Sequence, residues 1–298
     1  MAKRVENGSY SNAHVFPGGK LDPEDSSPRW KKFTDYSEKT DSALERFKIC
    51  AIRETFEETG LFLAETKEPA KASSLLKSFK SSEHHNSSLF IDNLEGTDFV
   101  IPTSRLQYIS RWITPQHLKR RFDTPFFLFC ASEGSKSDDF ILGQIYPKNK
   151  LDALYAQPSE IAFLEWLTPG EFLNPSRPIG LYPPQFYIMT ILSRVYNYSD
   201  LSSLSSLLHP IHPTTPFFSP TTDGGSIATL AGDIDYGTTL PLAPLPADPE
   251  SSLDLSRPLH RLYLSKPINT FSKIKIVDTI GRIPKPFPKP SIPSSSNL

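Results

Sequence analysis

Arg53-Glu54-Thr55-Phe56-Glu57-Glu58-Thr59-Gly60-Leu61 is the stretch from which the rest of this chain can be read. Its three glutamates stand at i, i+3 and i+4, so a helix places them on one face. Like charges on one face repel, and a helix shaped only for stability avoids them. A hard divalent cation such as Mg²⁺ or Mn²⁺ removes the conflict, because it prefers carboxylate oxygens and bridges them to phosphates. Without such a cation the same spacing describes a solvated acidic face.

The flanks supply a helix with a start and a stop. Ser42 and Glu45 have the S-x-x-E spacing of a capping box, with Thr40 and Asp41 as alternative caps. Leu44, Phe47, Ala51, Ile52 and Phe56 give an apolar stripe beside the acidic face. Gly60 stands where a left-handed residue closes a helix. Upstream, Val15-Phe16-Pro17-Gly18-Gly19 is a strand-like run broken by a glycine pair, which lets backbone approach a metal or phosphate closely.

Together these residues resemble the signature of the Nudix hydrolases, G-x5-E-x7-R-E-U-x-E-E-x-G-U with U a bulky apolar residue. Gly19 matches the first glycine, and Arg53-Glu54, Glu57-Glu58, Gly60 and Leu61 match the second half. Asp25 stands in place of the first glutamate, Thr55 replaces an apolar residue, and about twenty extra residues separate the halves. A split box after His14-Val15-Phe16-Pro17-Gly18-Gly19 is similar to that of the acyl-coenzyme A diphosphatase branch. Ser110-Arg111-Trp112-Ile113-Thr114-Pro115 with the run from Lys119 to Phe127, the run from Ser159 to Pro169, and Tyr182-Pro183-Pro184-Gln185 resemble further signatures of that branch. The likeness extends from about residue 14 to about residue 200, with Thr229-Leu230-Ala231-Gly232-Asp233 as an echo beyond.

The resemblance implies an α/β fold, a Nudix α/β/α sandwich on a mixed sheet. Residues 1–13 are short and polar, leaving room for at most a fragment of a strand before the glycine pair. The expectation is a fold lacking its N-terminal strand or strands, with sheet edges unpaired. Residues 1–200 read as one Nudix domain carrying inserts at 20–41 and 64–100, and 201–298 as an extension. The first insert is rich in Asp, Pro, Ser and Lys and reads as a loop anchored by Trp30 and Phe33. In the second, Leu75, Leu76 and Phe79 suggest one short helix within a surface loop for binding or without fixed order.

From Arg105 the pattern turns to β, with strands expected over 106–113, 125–131 and 161–167. A helix is expected over 184–197. The extension holds 15 of the 29 prolines and many serines, which argues against a packed core. Two islands, Leu259–Leu264 and Ser272–Val277, read as a possible hairpin.

A formal charge of -1 and an isoelectric point near 6.7 give no global pull toward nucleic acid or anionic membrane, and no nucleic-acid partner is expected. No apolar run is long enough to span a bilayer, and no signal peptide opens the chain. Cys50 and Cys130 fit buried thiols of a reducing compartment, and His84-His85 lies in a polar insert.

In function, the resemblance implies water attack on a diphosphate, with Mg²⁺ or Mn²⁺ held by Glu57, Glu58, Glu54 and the Gly19 carbonyl. Glu54 is a further ligand or the base, Arg53 orients a box glutamate, and Glu160 is a second candidate base. The substrate implied is coenzyme A or acyl-coenzyme A, whose 3'-phosphate needs a cationic contact. Lys119, Arg120 and Arg121 are the densest basic cluster of that region, and arginine suits bidentate phosphate binding. Competing readings are a Nudix pyrophosphatase on NADH, a nucleotide sugar or an RNA cap, and a non-catalytic Nudix-fold binding module. The C-terminal Ser296-Asn297-Leu298 is related to the S-K-L peroxisomal address without its basic residue. A peroxisomal location is therefore an expectation, with mitochondrion and cytoplasm as alternatives.

Overall fold

A computed structural model of the chain describes residues 1–6, 13–36, 42–66, 87–130, 161–174, 176–177, 179–265 and 274–287. Its strands are β1 (Ala2–Arg4), β2 (His14–Val15), β3 (Leu106–Ile113), β4 (Asp123–Phe129), β5 (Ile161–Leu164), β6 (Phe217–Pro220), β7 (Ser226–Thr229), β8 (His260–Leu264) and β9 (Ile274–Asp278). Its helices are α1 (Ser42–Thr59), α2 (Ser87–Asp92), α3 (Pro169–Phe172), α4 (Pro183–Leu192) and α5 (Tyr198–Leu208). Helices thus combine with antiparallel sheets, which places the chain in the α/β class expected. Single parallel bridges also occur, such as that of Thr34 with Ile101. The chain divides into two compact units, neither of them a continuous run of sequence.

The first unit takes 1–11, 15–108 and 127–165. Its three-stranded sheet has the order β2–β1–β5, so the N-terminal segment supplies a central strand. That strand is three residues long, the fragment for which the sequence left room, and it is paired on both sides. The expected unpaired edge at this segment is therefore corrected: backbone groups of residues 2–4 find partners in β5, with Ala2 opposite Leu164 and Lys3 opposite Phe163. The register then breaks, and Arg4 pairs with Ile161.

The core of this unit is aromatic. Phe62 stands 5.4 Å from Phe56 and 5.1 Å from Phe99, both edge to face. The insert at 20–41 enters this core through two 3-10 turns, Pro23–Ser26 and Pro28–Lys32. Each turn starts at Pro, whose fixed φ suits a first helical position. Trp30 and Phe33 are buried, as the anchor reading requires, and each contributes about 1.5–3 kcal/mol by leaving water. The insert at 64–100 needs correction. Its described part is not a surface loop: Phe90, Ile91, Leu94 and Phe99 are core residues. Glu65 and Val100 exchange backbone hydrogen bonds of 2.8 and 2.9 Å that close the loop at its base. The helix expected around Leu75, Leu76 and Phe79 lies outside the described residues.

The second unit takes 12–14, 109–126 and 166–298. Here the expectation that prolines and serines preclude a core is overturned by a four-stranded antiparallel sheet, β6–β7–β8–β9. The strands are short β-branched and aromatic runs, while the proline-dense segment 241–249 lies in the connection between β7 and β8. Leu230, Leu262 and Leu264 are fully buried. The two islands do form a hairpin, with Leu262 opposite Ile276. At its centre Arg261 is buried against Asp233, donating from Nε to Oδ2 at 2.7 Å and from Nη2 to Oδ1, and it reaches Asp235 at 2.9 Å. His260 lies between the Tyr187 hydroxyl and the Ala231 carbonyl, each 3.1 Å from a ring nitrogen, and burial lowers its pKa.

Candidate active site

The site is carried by α1, and its position is set at both ends. Gly60 closes the helix at φ 69°, donating its N–H to the Phe56 carbonyl at 2.7 Å. Near the start, the Glu45 carboxylate accepts from the Thr103 hydroxyl, and Lys48 Nζ donates to the Thr103 carbonyl at 3.0 Å. The alternative caps at 40 and 41 lie outside the described residues.

Arg53 is the centre of the acidic group, with a side chain only 5% exposed. Its Nε and Nη2 donate to the two oxygens of Asp25 at 2.9 and 3.0 Å, a bidentate pair. Its Nη1 donates to Glu54 at 2.9 Å and to Glu57 at 3.0 Å. Nη2 also reaches the Lys20 carbonyl at 3.3 Å. One guanidinium thus orients two box glutamates and ties both to the upstream loop.

Asp25 replaces a longer glutamate because of how it is presented. It closes a capping box with Asp22, accepting the Asp22 N–H at 2.8 Å. The 3-10 turn itself carries Asp25 inward to 1% exposure, so the shorter side chain reaches Arg53. The twenty extra residues therefore leave the two halves of the box in contact.

Gly19 completes the group from the other side. A Cβ there would stand 2.3 Å from the Glu54 carboxylate, so a larger residue would push that side chain out of its present position. Glu58 turns elsewhere. At 3% exposure it accepts from the Gly18 N–H and from Arg4 Nη1, each at 3.1 Å. Arg4 is the functional-site residue that sequence reasoning missed. Its contact spans 54 positions, and nothing in a polar N-terminal run marks it.

The electrostatics test whether a divalent cation belongs here. Asp25, Glu54 and Glu57 bring three negative charges to one guanidinium, three minus one, an excess of two. Burial pushes the carboxyls of Glu54 and Glu57 above the ordinary value of 4.5, Arg53 partly offsets this, and neighbouring carboxylates add to it. Burial works against the Arg53 charge, yet the Asp25 hydrogen bonds and surrounding carboxylates raise its pKa overall. Among the described residues no three His, Cys, Asp or Glu side chains converge as a finished cage. The donor chemistry nevertheless suits a hard divalent cation: carboxylate oxygens, those of two residues desolvated, carry surplus charge beside a glycine backbone.

Other expected residues belong to the second unit or fall outside the described residues. Lys119, Arg120 and Arg121 are exposed in the connection between β3 and β4, within the second unit. Arg121 Nε donates to the Thr114 carbonyl at 3.3 Å. Glu160 lies outside the described residues. Cys50, four-fifths of a turn before Arg53 on α1, is a buried thiol whose pKa burial raises.

Comparison with known proteins gives this geometry a context. The NUDT19 Nudix domain pattern matches residues 32–192. The acyl-coenzyme A diphosphatase NUDT19 of Xenopus laevis is 29% identical over 241 residues, covering 64% of this chain and 58% of that protein. The Homo sapiens protein of the same description is 27% identical, covering 67% and 61%. This chain thus spans about three-fifths of the length of those relatives. A putative nudix hydrolase 7 of Caenorhabditis elegans is 28% identical over 288 residues, covering 93% of this chain and 83% of that one. The crystal structure of a NUDIX hydrolase from Alicyclobacillus acidocaldarius aligns at a TM-score of 0.49 and 19% identity, covering 68% of this chain and 86% of that one. With the pattern matched over more than half of its residues, the chain belongs to the NUDT19 Nudix domain family.

Proposed function

We propose that this protein is a metal-dependent diphosphatase of coenzyme A and its acyl esters. It would cut the phosphoanhydride to adenosine 3',5'-bisphosphate and 4'-phosphopantetheine or its acyl form. The observation that carries the reading is the surplus of two negative charges on desolvated carboxylates around Arg53. A buried surplus of that kind is costly unless a cation meets it. The choice of coenzyme A rests on the names of the frog and human relatives.

In this reading Glu57, Glu58, Glu54 and the Gly19 carbonyl hold Mg²⁺ or Mn²⁺. When bound, the metal offsets the charge of the diphosphate and acidifies a water. Glu54, whose pKa burial raises, would be a further ligand or the base that takes the proton of the attacking water. Arg53 keeps Glu54 and Glu57 in fixed orientation through one nitrogen, and Asp25 fixes Arg53. Arg120 and Arg121, with Lys119, offer charge for the 3'-phosphate.

The test is coenzyme A cleavage with and without Mg²⁺ or Mn²⁺, by wild type and Glu58→Gln. Metal-dependent release of adenosine 3',5'-bisphosphate by wild type, lost in the variant, is the expected result. A folded wild type that leaves coenzyme A intact while cleaving a nucleotide sugar or dinucleotide would overturn the substrate assignment.

A further inference from the structure

Glu58 differs from the other two box glutamates in its partner. Glu54 and Glu57 share Arg53 from their own helix, whereas Glu58 is met by Arg4 from β1. The Arg4 side chain is 21% exposed and that of Glu58 only 4%, so the pair is largely desolvated. Both Glu58 oxygens are engaged, Oε1 by Arg4 Nη1 and Oε2 by the Gly18 N–H.

The backbone places Arg4 there by design of the strand. Met1 is fixed on β5 by reciprocal bonds with Glu165, its ammonium to the Glu165 carbonyl at 2.8 Å and its carbonyl from the Glu165 N–H at 2.9 Å. Lys3 turns away and lays its ammonium 5.1 Å from the centre of the Phe163 ring. Immediately after, the register skips Ala162, and such breaks re-aim a side chain. The residue so re-aimed is Arg4.

A guanidinium and a divalent cation on one carboxylate repel each other across a few ångströms of poorly screened space. We propose that Arg4 is an internal counter-cation that holds Glu58 until a divalent metal replaces it there, and thereby sets the metal affinity of the box. The proposal rests on the metal-dependent reading above. It makes Arg4 a positioning residue, and it gives the N-terminal strand a part in the chemistry: whatever loosens β1 releases Glu58.

The experiment is calorimetric titration of Mn²⁺ into wild type, Arg4→Met and Arg4→Gln, with Glu58→Gln as the control for the site. With the competing charge removed, both Arg4 variants should bind about tenfold more tightly, as relief of like-charge repulsion across a few ångströms implies. Their Tm should fall without metal and recover toward wild type at saturating Mg²⁺. In wild type, the side-chain Nε–H resonance of Arg4 should shift on Mg²⁺ saturation, a readout that needs no variant to fold. Binding by wild type with no tightening in the Arg4 variants, or an unmoved Arg4 resonance, would overturn the proposal and leave the diphosphatase reading standing. Absence of any cation binding by wild type would sink that reading, and this one with it.

Discussion

Two buried arginines anchor this molecule, Arg53 on α1 and Arg261 on β8, each with a side chain 5% exposed and each gripping a fully buried aspartate with two nitrogens. They differ in what surrounds the pair. Asp233 also accepts the His260 and Asp235 N–H groups at 2.8 and 2.9 Å, so its charge is spent on holding a turn against a strand. Around Arg53, two further carboxylates crowd in, and burial raises the pKa of both. A satisfied ion pair is architecture. An ion pair with surplus charge is architecture waiting for a cation, and geometry alone would not separate the two.

Cutting the aspartate from each pair should divide them. Asp233→Asn leaves Arg261 with Asp235 and weakens two backbone contacts, so a loss of about 3–5 kcal/mol is expected by denaturant titration. Metal affinity should not follow it; a parallel loss would mean that the two regions act as one. Asp25→Asn leaves Arg53 with Glu54 and Glu57 as partners, so stability should fall less. Metal affinity and turnover should instead fall about 10- to 100-fold, because Arg53 loses its second fixed point. Intact turnover with a large Tm loss would assign Asp25 to the same class as Asp233.

The smallest effect is one of pH. Folded Glu54 and Glu57 keep protons that the unfolded chain releases near 4.5. Their share of stability is therefore full below that pH and is lost as pH climbs through their raised values. Added Mg²⁺, which takes the ionised form, should stabilise more strongly as pH rises across the same window. Thermal melts of wild type and Glu57→Gln from pH 4.5 to 7 check this, the difference reporting Glu57 together with its share of the Glu54 shift. Identical slopes would show that Glu57 has no part in the surplus.

What could be read from sequence follows the range of each interaction. The helix limits, the closing turn at Gly60 and the strand over 106–113 are local, and periodicity with punctuation shows them. Arg53 to Glu57 is an i, i+4 relation and equally legible. The Arg4 contact with Glu58 depends on where a three-residue strand breaks register against β5, which no pattern in residues 1–6 records. The C-terminal sheet was hidden by averaging. Proline density over 201–298 describes its connections, while Ser226–Thr229 and His260–Leu264 are ordinary strand sequences when taken by themselves.

The pair of 3-10 turns, Pro23–Ser26 and Pro28–Lys32, has a consequence beyond this site. Lengthening the chain between the halves of the box from eight to twenty-eight steps adds only about 1 kcal/mol of loop-closure entropy. Burial of Trp30 and Phe33 more than offsets it. Sequence separation and spatial separation are then independent variables, and chemistry selects on only one of them. A signature written with fixed gaps is a census of the relatives that happened not to grow there. Written as contacts, a carboxylate in a turn facing an arginine on a helix, it would admit insertions of any length that bring their own anchor.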